Sequence, residues 1–387
     1  MTVSRPSVAF VRGAALNPFE TQVFGALEGF DVRAIGESPA NYEVDLVPVP
    51  VTLLPPRANG RLVRAARRAR LPLPPSFRNA GMLRGLSEAV GSADIVHAAE
   101  TFIPFTDQCV DLTRKSGARL VVTCWENIPF LYDDEPEMTA RKQRVRDAAA
   151  LFIAVTDRAR DVLVAEGVEP DRIRVVPAAL DTDRFEPGHD RSFLNGLLDI
   201  PADAPIVLFV GRMIREKGVV ELVHALSRVD VGSSPAHLVT VGSGPQTARV
   251  KVAAEALRVA DRVHVLDGQS YADVPNVFRA ADVVVIPSLS TPYWQEQFGY
   301  VLAEAMASGR PLVTTRTGSI PQVVGDAARL IDDYDIEALA DAISEVLASP
   351  ELAAELGRRG RVRAVECYSA AAVAPQLAAA YSDVLSR

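Results

Sequence analysis

The segment Gly211-Arg212-Met213-Ile214-Arg215-Glu216-Lys217-Gly218 follows an apolar run at 206–210 and precedes a helical pattern. Its two glycines permit close backbone approach. Arg212 and Lys217 place fixed cations where a strand ends and a helix begins, and the helix dipole there already favours an anion. A diphosphate suits that arrangement; surface cations on an ordinary strand-to-helix loop are the plain alternative. A second segment reads Glu296-Gln297-Phe298-Gly299-Tyr300-Val301-Leu302-Ala303-Glu304. A helix running through both glutamates would separate them by roughly 12 Å along its axis. Carboxylates so spaced can accept hydrogen bonds from vicinal hydroxyls at two places, a sugar at one end and a ribose at the other. The helix-start amides from Phe298 through Gly299 and Tyr300 to Val301 would then face phosphates between them.

Such residues need strand ends to hold them, and the chain supplies the pattern. Short apolar, β-branched runs alternate with longer helical stretches, the signature of parallel βαβ units. In the first half, strands are expected over 8–11, 43–49, 95–98, 120–124, 151–155 and 173–176. In the second half they are expected over 206–210, 237–241, 263–266, 283–286 and 311–314. A breaker-rich stretch from Pro187 to Pro205 separates the sets and reads as a hinge. Helical spacing over 219–229, 248–259 and 336–347 flanks the second set, and a terminal helix is expected over 369–385. The expectation is α/β architecture with two Rossmann-like domains facing a central cleft, ligands sitting at the carboxyl ends of strands.

Composition narrows the classes. With 387 residues, 48% hydrophobic and 23% charged, the chain has the make-up of a globular protein of about two domains. Its net charge of −8 disfavours a nucleic-acid binder, which needs clustered cations. That average hides a segment, 46–87, with no acid and eight arginines: Arg57, Arg61, Arg64, Arg67, Arg68, Arg70, Arg78 and Arg84. A solvated face and contact with an anionic partner, such as a membrane surface, are both compatible with it. Cys109, Cys124 and Cys367 lie far apart and form no metal-ligand spacing, and the histidines form none either, so no metal site is expected and a reducing compartment is. The N-terminal apolar stretch is too short for a signal peptide, so a cytoplasmic location is expected, with peripheral membrane contact through 57–84.

At this point a resemblance is visible. The chain resembles a retaining glycosyltransferase of the GT-B fold, family 4 (glycosyltransferase group 1). It carries Val210-Gly211-Arg212 with Glu216-Lys217-Gly218, Val241-Gly242-Ser243-Gly244-Pro245, the run Ala280-Ala281-Asp282 to Pro287-Ser288, the pair Glu296 and Glu304, and Ser308-Gly309-Arg310-Pro311. In the first half, Asp94-Ile95-Val96-His97, Ile173-Arg174-Val175-Val176-Pro177 and Asp181-Thr182-Asp183-Arg184-Phe185 also fit. The resemblance implies an N-terminal acceptor domain over 1–185 and a donor domain over 200–368. It also implies a terminal helix, 369–387, that crosses back to the first domain.

The resemblance further implies a metal-independent transfer of a sugar from a nucleoside-diphosphate sugar, UDP or GDP, to a carbohydrate, lipid-linked or small-molecule acceptor, with no cofactor. Arg212 and Lys217 would neutralise the departing diphosphate, and Glu296 would hold hydroxyls of the donor sugar. Glu304 would hold the ribose, while the backbone at Phe298, Gly299, Tyr300 and Val301 would meet sugar and phosphate. Gly13 and Gly211 would allow close approach to the diphosphate, and Gly268 would lie near the base. Acceptor contacts are expected from His97, Trp125, Glu126, Asn127 and Trp294. Trp125 marks a departure, because many relatives place a histidine there, and an indole cannot take a proton. Two other readings follow on the same fold: a sugar phosphorylase, and a sugar-nucleotide binder without catalysis. A dehydrogenase is disfavoured, since Val11-Arg12-Gly13-Ala14-Ala15 lacks the dinucleotide fingerprint.

Overall fold

The computed structural model of the chain describes residues 5–57, 81–229, 231–232 and 234–387. Of the basic segment, Arg61, Arg64, Arg67, Arg68, Arg70 and Arg78 lie outside the described residues. Arg57 and Arg84, at its two ends, meet: the Arg57 amide donates to Met82 O at 2.8 Å and the Arg84 guanidinium to Arg57 O at 3.3 Å.

The chain divides into two units, residues 1–179 with 370–387, and residues 180–369. In the first, seven strands form one parallel sheet: β1 Ser7–Gly13, β2 Asp31–Glu37, β3 Val51–Leu54, β4 Ile95–Ala99, β5 Arg119–Cys124, β6 Leu151–Ala154 and β7 Ile173–Val175, in the order β3-β2-β1-β4-β5-β6-β7. In the second, β8 Ile206–Val210, β9 His237–Val241, β10 Val263–Leu266, β11 Val283–Ile286, β12 Leu312–Thr315 and β13 Arg329–Ile331 run parallel in the order β10-β9-β8-β11-β12-β13. Both are sheets whose strand order reverses, at β1/β4 and at β8/β11, and such reversals open a crevice beyond the strand ends.

The strands differ from expectation in four places. The stretch 43–49 is not a strand: Pro48 and Pro50 supply no N–H to a ladder, and the Val47 amide turns back onto Val44 O. The sheet is completed instead by β3, just beyond those prolines, and by β2, whose Asp31, Arg33, Gly36 and Glu37 hide its apolar character. The three-residue edge strand β13 carries too few residues for a periodic signal. The expected hinge around 187–205 is part of the second unit. There Phe185 is fully buried against Tyr271 and Phe278, and Asp282 accepts from the Arg191 side chain and the Ile206 amide.

Strand alternation sorts the first unit's core into two layers. Ala9 and Val11 of β1 pack with Phe105, Cys109, Val110 and Val145 on one face. Val8 and Phe10 pack with Phe24 and the terminal helix, Ala370–Ser386, on the other. That helix follows a π-helical turn, Ala364–Tyr368, and buries Val373, Ala374, Leu377, Ala380, Tyr381 and Val384 on the first sheet. Each fully buried Val or Leu contributes roughly 1.5–3 kcal/mol, enough to anchor the chain end. Among the described residues, no helix is long and apolar enough to cross a membrane.

Polar contacts tie the helix to the sheet as well, among them Arg174 of β7 to Asp383 at 2.9 Å. His97 of β4 is 3% exposed, and its Nδ1 lies 2.6 Å from the Tyr381 hydroxyl while Nε2 lies 2.7 Å from Thr123 Oγ1. Burial, with the Arg12 cation adding to it, pushes the imidazole down to about 3, so it is neutral at physiological pH. Both ring nitrogens are occupied inside the core, which removes His97 from the acceptor-binding candidates. Tyr381→Phe leaves Nδ1 without its partner and is expected to cost the first unit about 1–3 kcal/mol in urea unfolding; an unchanged midpoint would mean that the contact does not hold the helix.

Candidate functional site

In the second unit, the two chemistry-bearing segments end neighbouring strands at the reversal point. The first follows β8. A 3-10 turn, Arg215–Lys217, leads to Gly218 and then to the helix Val219–Leu226. Gly218 has φ +66°, and a Cβ there would meet Pro287 O at 1.9 Å, so only glycine lets this loop lie against the end of β11. Gly211 stands at the exit of β8, its amide bonded to Val241 O at 3.0 Å. The Arg212 side chain is exposed and takes part in no ion pair or hydrogen bond with the described residues. Its cation is therefore uncommitted.

Lys217 is placed differently. Its Nζ lies 2.5 Å from Glu296 Oε2, and the same carboxylate oxygen accepts from Ser288 Oγ at 2.8 Å. Lys217 and Glu296 side chains are 12% and 7% exposed. The Trp294 ring lies 5.1 Å from Nζ, so the ammonium is held between a carboxylate and an aromatic face. Trp294 thus serves the cation of the donor candidates and is not shown lining an acceptor surface.

Glu296 is not on a helix, contrary to the spacing argument. The helix starts at Tyr300, capped by Gly299 at φ 75° and ψ 73°, and runs to Ala307. The 12 Å separation along a shared axis therefore does not apply; Glu296 belongs to the β11 loop and Glu304 to the helix. The loop is fixed from several sides. Ser319 N donates to Glu296 O at 2.9 Å, and Leu289 N donates to Glu216 O at 2.8 Å, which joins the two site loops. Thr315 Oγ1 donates to Ser288 O at 2.5 Å, and Tyr334 Oη donates to Ser290 O at 2.8 Å. Gly318, at φ +54°, lies so close that a Cβ would meet Glu296 O at 2.1 Å.

Phe298 is 2% exposed and packs edge-on to Tyr300 and Tyr368, so only its backbone remains for a ligand. The helix is entered through the bond from Leu302 N to Gly299 O at 2.9 Å. Gly268 lies in an exposed loop after β10 with open space around its Cα. Glu304 is 6% exposed, and its carboxyl makes no hydrogen bond with the described residues. Burial pushes it up to about 8. A buried carboxyl without a partner loses stability unless something else supplies one.

The first unit holds a separate set at the ends of its central strands. Gly13 ends β1 at φ +54° against Phe105. Sequence reasoning missed Glu100, which sits directly after β4 with φ +61° and is 7% exposed. Its Oε1 accepts from Trp125 N at 2.8 Å, and burial pushes its carboxyl up to about 8. Its position at the carboxyl end of a central strand was the available signal. Glu126 Oε1 accepts from Asn127 N at 2.8 Å and Ile128 N at 2.9 Å, and burial raises its pKa above the ordinary carboxylate value. Asn127 is 2% exposed. Trp125 is half-buried. Glu100, Glu126, Phe102, Leu131, Lys142 and Glu166 line a small cleft. Ser288, the other missed residue, was visible only as the end of the run Ala280 to Ser288. Among the described residues no group of three or more His, Cys, Asp or Glu is arranged to hold a metal.

The raised pKa of Glu304 has a thermodynamic sign. From its ordinary 4.5 up to about 8, the folded chain keeps a proton that the unfolded chain has lost, so this group makes stability fall as pH rises across that interval. Glu304→Gln should therefore gain stability relative to the parent as pH rises from about 5 to 8. Urea unfolding of both at several pH values checks this; parallel curves would contradict it.

Comparison with known proteins follows the same division. Residues 192–363 match the family described as glycosyl transferases group 1, and residues 32–184 match Glycosyltransferase Family 4. The MMP alpha-(1->4)-mannosyltransferase of Mycolicibacterium hassiacum is 31% identical over 279 residues, 71% of this chain and 64% of that protein. The D-inositol 3-phosphate glycosyltransferase of Corynebacterium glutamicum is 33% identical over 267 residues, 65% of this chain and 62% of that protein. The match thus spans less than two thirds of these relatives' length. Among solved structures, Anabaena HepE in complex with UDP and glucose superposes with a TM-score of 0.77 at 16% identity, over 98% of this chain and 100% of that one. Sucrose-phosphate synthase from Thermosynechococcus elongatus gives 0.76 at 20% identity, over 99% and 100%. Two parallel-sheet Rossmann-like units, two adjoining family matches and these neighbours agree: the chain belongs to the group 1, family 4 glycosyltransferases and has the GT-B fold.

Proposed function

We propose that the chain transfers a glycosyl group from a nucleoside-diphosphate sugar to a hydroxyl-bearing acceptor with retention of anomeric configuration. The observation that carries this reading is the ion pair of Lys217 with Glu296 at the ends of β8 and β11, with Arg212 exposed on the first of these loops and Glu304 buried on the helix that follows the second. Glu304 accepts from the ribose hydroxyls and thereby gains the partner its burial lacks. Glu296 accepts from hydroxyls of the donor sugar. Arg212, Lys217 and the amides of Tyr300 and Val301 face the diphosphate, whose charge grows as the bond from the anomeric carbon to the phosphate oxygen breaks. The acceptor oxygen bonds that carbon on the face the leaving group departs, and its proton passes to the departing phosphate oxygen. No protein nucleophile is used, and the diphosphate charge falls on protein cations instead of a metal ion.

UDP is the favoured nucleotide, because structural neighbours of this fold include HepE in complex with UDP and with UDP-glucose. In this reading the acceptor meets Trp125, Glu126 and Glu100 at strand ends of the first unit. Relatives are named for mannosyl transfer and for inositol 3-phosphate, which supports a polyol or carbohydrate acceptor. The reading further places 57–84 at an anionic membrane face.

Incubation with UDP-, GDP- and ADP-sugars, with and without cell lipid extract, should release nucleoside diphosphate. Lys217→Ala or Arg212→Ala should lower kcat/KM by about 100-fold or more, and Glu304→Ala should raise the donor KM. The reading is wrong if no sugar nucleotide binds or turns over, or if Glu304→Ala leaves activity untouched. Turnover only with free phosphate would point to a phosphorylase.

A further inference from the structure

We infer that Trp294 is a positioning residue for Lys217, setting where the ammonium stands when the leaving diphosphate develops its charge. This rests on the proposed transferase reading. Lysine carries its charge on a flexible four-carbon stem, and one ion pair does not fix such a group in three dimensions. Here the second restraint is the indole. Trp294 is half-buried with its ring 5.1 Å from Nζ, while Glu296 Oε2 lies 2.5 Å from the same atom. Carboxylate and aromatic face are only two residues apart in sequence, so one loop sets both contacts.

That loop is built to present the ring. Thr291 and Trp294 form an antiparallel bridge, with Thr291 N donating to Trp294 O at 2.8 Å and Trp294 N to Thr291 O at 3.3 Å. The turn pushes Tyr293 outward, at 76% exposure, and brings Trp294 inward. Ser288 Oγ restrains the same Glu296 oxygen from the other side. When sugar hydroxyls engage Glu296, the carboxylate's hold on Nζ weakens. The indole face does not compete for hydroxyl hydrogen bonds, so it keeps the ammonium in place through that exchange. A cation–π contact at a largely desolvated site is strong enough to matter for rate.

The test uses the whole chain and measures nucleoside diphosphate release from the best sugar donor. Trp294→Leu, which keeps apolar bulk and removes the π face, should lower kcat about 10-fold with donor KM changed less than about twofold. Trp294→Phe should recover most of that loss. In a Lys217→Met background, Trp294→Leu should cause no further fall, because the tryptophan acts through the lysine. Thermal unfolding of Trp294→Leu and Trp294→Phe is compared to show that both fold. The inference is overturned if Trp294→Leu matches the parent, if Trp294→Phe is no better than Trp294→Leu, or if the loss persists in Lys217→Met. A rise in acceptor KM at constant kcat would also overturn it, placing the ring against the acceptor instead. A parent chain that turns over no sugar nucleotide defeats the transferase reading itself, which is a different result from an active parent matched by Trp294→Leu.

Discussion

The ion pair between Lys217 and Glu296 is the contact at which the loops after β8 and β11 meet in the second unit. Neither partner stands on a regular element: the lysine ends a 3-10 turn after β8, and the glutamate lies in the loop after β11. A buried pair of this kind is a liability if one partner moves, because a desolvated charge is left alone. The surrounding structure therefore restricts both loops. Gly218 lets one loop pass against Pro287, Gly318 lets another pass against Glu296, and the bond from Leu289 to Glu216 joins the two. These are close backbone approaches, and rigid support of that kind is what holds charged groups to a useful geometry.

The first unit shows the same tension between burial and charge with a different solution. Glu100 spends its carboxyl on the Trp125 amide, and Glu126 spends an oxygen on the two amides that follow it. Below this loop, Lys142 bridges Asp133 at 2.7 Å and Glu166 at 2.6 Å, and Arg146 adds a second cation to Glu166 at 2.7 Å. Irregular backbone after β5 is thus fastened by carboxylates and a buried lysine. Trp125 stands in this loop, its main-chain N–H held by Glu100.

Much of the architecture was legible in the sequence because apolar runs buried on both faces are unmistakable. Strands β8, β9, β10 and β11 fall where their runs predict. The sequence signal failed where burial is partial: β2 is interrupted by charge and glycine, and β13 is three residues long. It misled at 43–49, where alternation mimics a strand but prolines withhold donors. At the site, the motif residues were visible by type and order, yet their relations were not. The eight-residue spacing was read along one helix through Glu296 and Glu304, whereas Gly299 starts the helix between them. His97 looked like an acceptor contact by its strand-end position, but only the packing of the terminal helix, 284 residues away in sequence, shows that Tyr381 takes its ring nitrogen. Long-range pairings of this kind leave no local pattern to read.

In the proposed transfer, Lys217 and Glu296 depend on each other through their ion pair. A double-mutant cycle on kcat/KM with Lys217→Met, Glu296→Gln and the combined variant tests it directly. Each single change should cost about as much as both together, with a coupling of about tenfold or more. Losses that simply multiply would show two independent groups and contradict it.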